Sequence, residues 1–121
     1  MGELNRILYV MLILMIIPIA GLSSSAYAND MTKPLIIDAR TTQEGDSGHI
    51  EGAVLIPYEQ IGKGIGSVAK DKSQRIYVYC RTGRRSTIAK KTLDKLGYKD
   101  VVNLGSLENA AMILKLKIIK H

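Results

Sequence analysis

Cys80 is the only cysteine in this 121-residue chain, and it heads the segment Cys80-Arg81-Thr82-Gly83-Arg84-Arg85-Ser86. Ile76-Tyr77-Val78-Tyr79 before it reads as a strand, while Ile88, Ala89, Thr92, Leu93 and Leu96 after it recur at helical spacing, so the segment joins a strand to a helix start. The unpaired backbone N–H groups of a helix's first turn attract anions. Gly83 permits loop conformations that aim several of those groups at one point. Arg81, Arg84 and Arg85 add positive charge, and cations with a helix N-terminus favour the thiolate, the nucleophilic form of cysteine. Arginines at a helix N-terminus oppose the macrodipole, so a cluster of them makes sense for binding an anion and little sense for stability. The competing reading, a buried apolar cysteine that merely closes the strand, leaves that cluster unexplained.

Several elements must position this loop. Leu35-Ile36-Ile37-Asp38, after Pro34, is a short β-branched run that reads as a buried strand ending in an acid. Thr41 to Gly48 is polar and glycine-punctuated, hence a loop or a poor helical turn. Ala53-Val54-Leu55-Ile56 is a second apolar run, stopped by Pro57. Ile61, Ile65 and Val68 fall at helical spacing, but Gly62, Gly64 and Gly66 interrupt them, each costing a helix about 1 kcal/mol relative to alanine. The expectation there is a weak helix or irregular loop. Beyond the cysteine loop, Lys90, Lys91, Asp94 and Lys95 form the polar side of the helix, with Gly97 placed as its C-terminal cap. Val101 to Leu104 reads as a strand turned by Gly105; Leu107 to Ile119 begins as a helix, and its tail Lys115-Leu116-Lys117-Ile118 alternates and fits either state. Short strands separated by helices predict an α/β domain with a mainly parallel sheet flanked by helices. Ligands bind such sheets beyond the carboxyl ends of strands, and Cys80 sits at such an end.

The length points to one domain, and its first stretch stands apart from it. A start containing Arg6, an apolar run from Ile7 to Leu22 and the ending Ala26-Tyr27-Ala28 describe a secretory signal peptide over residues 1–28. An uncleaved membrane anchor is the competing reading, but the apolar run is slightly short for a full span. Cleavage after Ala28 leaves residues 29–121 as the domain, so any membrane contact is expected only through an uncleaved leader. A lone thiol in an exported chain has no internal disulfide partner, which marks it for chemistry. The formal net charge of +6 fits nucleic acid, anionic lipid or small anionic substrates, and a basic soluble surface accounts for most of the lysines. No basic run alternates with aromatics, so nucleic acid is not expected as a partner.

Four segments in order resemble the rhodanese family of sulfurtransferases: Asp38-Ala39-Arg40; His49-Ile50-Glu51-Gly52-Ala53 continuing to Ile56-Pro57; Tyr79-Cys80 followed by Gly83, Arg84 and Ser86; and Leu96-Gly97-Tyr98 with Asn103-Leu104-Gly105. The resemblance implies a three-layer α/β fold and a mechanism. Cys80 takes a sulfane sulfur from an anionic donor such as thiosulfate, becomes a persulfide, and passes the sulfur to a thiophilic acceptor such as cyanide or a thiol. Arg81, Thr82, Gly83, Arg84, Arg85 and Ser86 are the expected substrate-binding segment, its N–H groups cradling the terminal sulfur in the manner of an oxyanion hole and its arginines binding the donor. Asp38, Arg40 and His49 are expected as framework near the site. No metal or organic cofactor is implied, and the expected product is a monomeric, periplasmic enzyme. The chain departs from the family pattern at Gly45, near a position often aromatic, at Gly105-Ser106 in place of Gly-Gly, in its lack of tryptophan, and in the stretch from Gly62 to Gly66. His121 is terminal and expected to be disordered.

Two other readings share the same architecture. A cysteine-dependent phosphatase or arsenate reductase needs an arginine six positions after the cysteine, where a longer loop wraps a tetrahedral anion; here that position is Ser86. A non-catalytic binding or sensing module on the same scaffold usually lacks the cysteine, which this chain retains.

Overall fold

The computed structural model describes residues 33–121; the expected leader and its cleavage site lie outside them. In chain order the elements are β1 (Leu35–Asp38), α1 (Thr42–Ser47), β2 (His49–Ile50), β3 (Val54–Leu55), a 3-10 turn (Tyr58–Gln60), α2 (Ile61–Val68), β4 (Ile76–Cys80), α3 (Arg84–Lys95), β5 (Val101–Ser106), α4 (Leu107–Leu114) and β6 (Ile118–Ile119). Four strands form one sheet in the order β3-β1-β4-β5, and each neighbouring pair in it is parallel. β2 and β6 make a separate antiparallel pair, with His49 opposite Ile119 and Ile50 opposite Ile118.

Alternation along the strands divides the core into two layers. Leu35 and Ile37 of β1 and Ile76 and Val78 of β4 face Ile61, Ile65, Ala89 and Leu93 of α2 and α3. Ile36, Tyr77 and Tyr79 face the other way, toward Ala110, Ala111 and Leu114 of α4. Helices on both faces of a parallel sheet make this a three-layer α/β fold.

The segment from Gly62 to Gly66 is helical, where the sequence left helix and loop open. Ile61 is fully buried and Ile65 nearly so, each worth roughly 1.5–3 kcal/mol, which outweighs about 1 kcal/mol lost at each glycine. Gly64 serves that packing, since a Cβ there would stand 3.2 Å from Ile56 Cγ2. Thr42–Ser47 is also a true helix, because Thr41 and Glu44 form a reciprocal capping box that satisfies backbone donors otherwise left unpaired.

On α3 the buried stripe is Ser86, Ala89 and Leu93, while Ile88 and Leu96 lie exposed at its margins, a narrower face than the sequence suggests. Gly97 ends the helix at φ +94°. The ambiguous tail resolves into α4, a left-handed turn at Lys115 and β6. His121 stacks on His49 with ring centroids 5.1 Å apart, contrary to the disorder expected of a terminal residue.

Gly66 sits inside α2 with nothing within 4 Å of a prospective Cβ and no positive φ. Gly66→Ala is therefore expected to stabilise the domain by about 0.5–1 kcal/mol, read as a rise of a few degrees in the thermal midpoint. Gly64→Ala, which must push Ile56 aside, should give a smaller gain or a loss.

Candidate active site

β4 lies inside the sheet, between β1 and β5, and delivers Cys80 to its carboxyl end. The next residues turn at once into α3. Gly83, at φ +108°, takes the left-handed conformation this turn requires, one that a β-carbon disfavours. The result brings donors to the sulfur. Gly83 N–H donates to Cys80 Sγ at 2.9 Å, and Ser86 Oγ lies 3.4 Å from it. Ser86 is wholly buried, with its hydroxyl also donating to the Gly83 carbonyl at 3.0 Å. A hydroxyl both donates and accepts, so Ser86 accepts from the thiol and can turn its hydrogen toward the thiolate.

Burial pushes the Cys80 thiol up, but the Ser86 hydroxyl and the Ser86, Gly83 and Thr82 N–H groups together pull it below its ordinary value. Hydrogen bonding to the charged form is the winning effect. Cys80 has no solvent exposure, so reaction at Sγ requires local opening around the loop and favours small reagents.

The three loop arginines have different fates. Arg85 turns away from the loop centre and makes a bidentate ion pair with Glu44, Nη1 to Oε1 at 2.7 Å and Nη2 to Oε2 at 2.8 Å. The expected substrate-binding segment includes Arg85, and here two of its guanidinium donors are engaged by Glu44 at the side of the loop. Arg81 and Arg84 are exposed. The Arg85 guanidinium holds the Glu44 carboxyl at about 2. A depressed carboxylate value stabilises the fold in full above its ordinary value, 4.5 here, and that contribution fades as pH falls toward about 2.

Asp38 and Arg40 form a buried pair directly behind the loop. Arg40 Nε donates to Asp38 Oδ1 at 2.9 Å and Nη2 to Oδ2 at 2.7 Å, and Nη2 also reaches the Gly48 carbonyl. The hydrogen bond to Asp38 raises the Arg40 pKa against the opposing effect of burial. Tyr79, next to the nucleophile, completes the network: its hydroxyl donates to Asp38 Oδ2 at 3.0 Å and accepts from the Ile50 N–H at 3.0 Å. Burial pushes the Tyr79 phenol up, so it stays a neutral donor. His49 lies apart from this chemistry. Its Nδ1 is 3.1 Å from the Gly45 carbonyl, an acceptor only, so Nδ1 carries the proton.

Sequence reasoning missed Glu44 and Tyr79. The Thr41-x-x-Glu44 spacing is a capping-box signal that the reading of this segment as a loop or poor helical turn did not use, and nothing local shows that the same carboxylate reaches Arg85, 41 residues away. Both departures near the loop have structural explanations. Ser106, in place of a second glycine, is the N-cap of α4 and accepts from the Asn109 N–H. Gly45 packs against Leu55, whose Cδ1 would stand 3.3 Å from a Cβ there, and borders a hollow of about 120 Å³ lined also by Asp38 and His49. A groove of about 300 Å³ lies at the loop's rim, lined by Arg40, Glu44, Ser47, Arg81, Leu107 and Glu108. A cleft of about 600 Å³ between β3 and α2 contains no residue of the loop. Among the described residues no cluster of three or more His, Cys, Asp or Glu side chains is placed to hold a metal ion.

Parallel sheet, strand-end cysteine and closed N–H cradle together define a sulfurtransferase-type scaffold, and residues 24–110 match the family described as the Rhodanese-like domain. The chain belongs to that family. It is 37% identical over 76 residues to the thiosulfate sulfurtransferase PspE of Escherichia coli K12, spanning 63% of this chain and 73% of that protein. It is 35% identical over 75 residues to a sulfurtransferase of Allochromatium vinosum, spanning 62% of this chain and 68% of that one. A solved structure of a rhodanese with anions from E. coli superposes with a TM-score of 0.68 at 31% identity, covering 74% of this chain and all of that one.

Because the Ser86 hydroxyl is the foremost group favouring the thiolate, its removal should be visible in reactivity. The rate of Cys80 alkylation by iodoacetamide against pH is expected to have its midpoint below that of free cysteine, ~8.5. In Ser86→Ala the midpoint moves up and the rate at pH 7 falls several-fold. An unchanged midpoint would assign the thiolate to the backbone donors alone.

Proposed function

We propose that this protein is a thiosulfate sulfurtransferase that carries the transferred sulfur as a Cys80 persulfide. The observation that carries this reading is the convergence of loop donors on a single buried sulfur, which holds Cys80 below its ordinary pKa. Sulfurtransferase activity is supported by membership of the rhodanese-like family and by relatives named as sulfurtransferases. Thiosulfate as donor is the finer step, supported by the name of the E. coli relative and by the exposed cations Arg81 and Arg84 beside the nucleophile.

The chemistry runs in two displacements. The Cys80 thiolate attacks the sulfane sulfur of thiosulfate, the sulfur–sulfur bond breaks, and sulfite leaves with the electron pair. The loop N–H groups then hold the anionic outer sulfur of the persulfide, as an oxyanion hole holds oxygen. A thiophilic acceptor such as cyanide attacks that outer sulfur, thiocyanate departs, and the pair returned to Sγ restores the thiolate. Arg81 and Arg84 assist by binding the donor dianion, an effect on KM more than on kcat. A loop this small, with Ser86 at its closing position and Arg85 engaged by Glu44, offers no arginine to the centre of a tetrahedral oxyanion, which disfavours the phosphatase reading.

Intact-mass measurement tests the proposal. Incubation with thiosulfate is expected to add one sulfur atom, cyanide to remove it, and Cys80→Ser to abolish both steps; normal turnover in that variant would end the mechanism. The proposed address is the periplasm, reached through a leader cleaved after Ala28. N-terminal sequencing of protein from the cell envelope should begin at Asn29, and a membrane-bound product retaining Met1 would refute it.

A further inference from the structure

The groove at the rim of the loop carries charge of both signs. Its lining has two cations, Arg40 and Arg81, and two carboxylates, Glu44 and Glu108. Two of the four are already committed: Arg40 to Asp38, and Glu44 to Arg85. Arg81 and Glu108 are exposed, and neither side chain has a hydrogen-bond or ion-pair partner among the described residues. The strand register brings them to the same edge. Cys80 pairs with Ser106 in the parallel β4–β5 ladder, so Arg81 and Leu107 leave the sheet side by side, with Glu108 one residue further. An unpaired cation and an unpaired carboxylate thus share a groove of about 300 Å³ with the apolar side chain of Leu107, and the cation is the residue that follows the nucleophile.

A dianion such as thiosulfate accounts for Arg81 but is repelled by Glu108. A ligand bearing both signs uses both residues, and a volume near the lower bound of ligand sites suits a molecule of amino-acid size. We propose that this groove selects the sulfur acceptor, and that the acceptor is a small thiol carrying an ammonium and a carboxylate group. This rests on the sulfurtransferase reading above. Glu108 receives the ammonium, Arg81 the carboxylate, and Leu107 the intervening carbon. The acceptor thiol passes its proton to the anionic outer sulfur of the Cys80 persulfide and, as the thiolate, attacks that sulfur, and the Sγ–S bond breaks. Its electron pair remains on Sγ as the thiolate, and the outer sulfur leaves with its proton as the acceptor's hydropersulfide. Arg81 serves the donor in one half-reaction and the acceptor in the other, so the two must alternate at one mouth, giving ping-pong kinetics.

The test uses full-length protein loaded as the persulfide with thiosulfate, or with inorganic polysulfide if thiosulfate does not load it. Discharge is measured with cysteamine (ammonium only), 3-mercaptopropionate (carboxylate only) and L-cysteine (both). Within each variant the ratio of kcat/KM for cysteamine to that for 3-mercaptopropionate is compared with the wild-type ratio, so that differences in thiol acidity, loading or folded fraction cancel. Glu108→Gln is expected to lower this ratio roughly fivefold, the size of one exposed charge contact, and Arg81→Gln to raise it by a similar factor. L-cysteine should lose rate in both. Both effects should shrink at high salt. An unchanged ratio in Glu108→Gln would overturn the acceptor assignment while leaving the sulfurtransferase intact. Failure of thiosulfate to load Cys80, with normal discharge ratios after polysulfide loading, would instead overturn the donor reading.

Discussion

A thiolate held below the protein surface must replace the water it has lost with fixed donors, since an unpaired buried charge is strongly unfavourable. Much of this structure follows from that need. Thr82, Gly83 and Ser86 turn backbone N–H groups onto Cys80, and they do so only because Gly83 occupies the left-handed region. The turn also brings Gly83 against the end of β5, where its β-carbon would stand 3.6 Å from the Gly105 α-carbon. Gly83 bends the loop, and Gly105 beside it takes a left-handed conformation of its own, at φ +78°. An irregularity in the β4–β5 ladder between Val78 and Tyr79 falls beside them. Asn103 secures the arrangement by accepting from the Gly105 N–H and donating to Thr87 Oγ1 in the first turn of α3.

Around this cradle stand two ion pairs of unlike character. Asp38–Arg40 is almost fully buried, and such a pair contributes little net stability unless its remaining hydrogen-bonding groups are satisfied. Tyr79 and the Gly48 carbonyl supply those partners, so the pair locks the end of β1 to the residue preceding the nucleophile. Glu44–Arg85 is partly exposed and worth on the order of 1 kcal/mol at most, yet it decides the direction of a loop arginine. With Arg85 held by α1, the positive potential at the mouth comes from Arg81 and Arg84. Charge that serves the architecture is thus separated from charge available to a substrate.

The placement of the cysteine was largely readable from local sequence. Cys80 after a β-branched run, followed by Gly83 and a helix start, places a nucleophile at the carboxyl end of a parallel strand, because backbone preferences and strand–helix alternation are set by neighbouring residues. The strands β1, β4 and β5 and the helix α3 were visible for the same reason. The resemblance to rhodaneses rests on those local segments, which is why it survives the departures at Gly45, Ser106 and the glycines of α2.

What local sequence left open depended on contacts between distant segments. The helix from Ile61 to Val68 is a poor one by propensity, and it exists because Ile61 and Ile65 are buried against the sheet and α3. The fate of Arg85 lay with Glu44, 41 residues earlier, and the role of Tyr79 with Asp38, also 41 residues earlier. A serine after Gly105 is a departure in a linear pattern and an N-cap in space. The residue types and their spacing determined where a thiolate could form; only the packing of β1, α1 and β5 around it decided which charges remain free, because an ion pair is chosen by proximity in space and proximity in the chain carries no record of it.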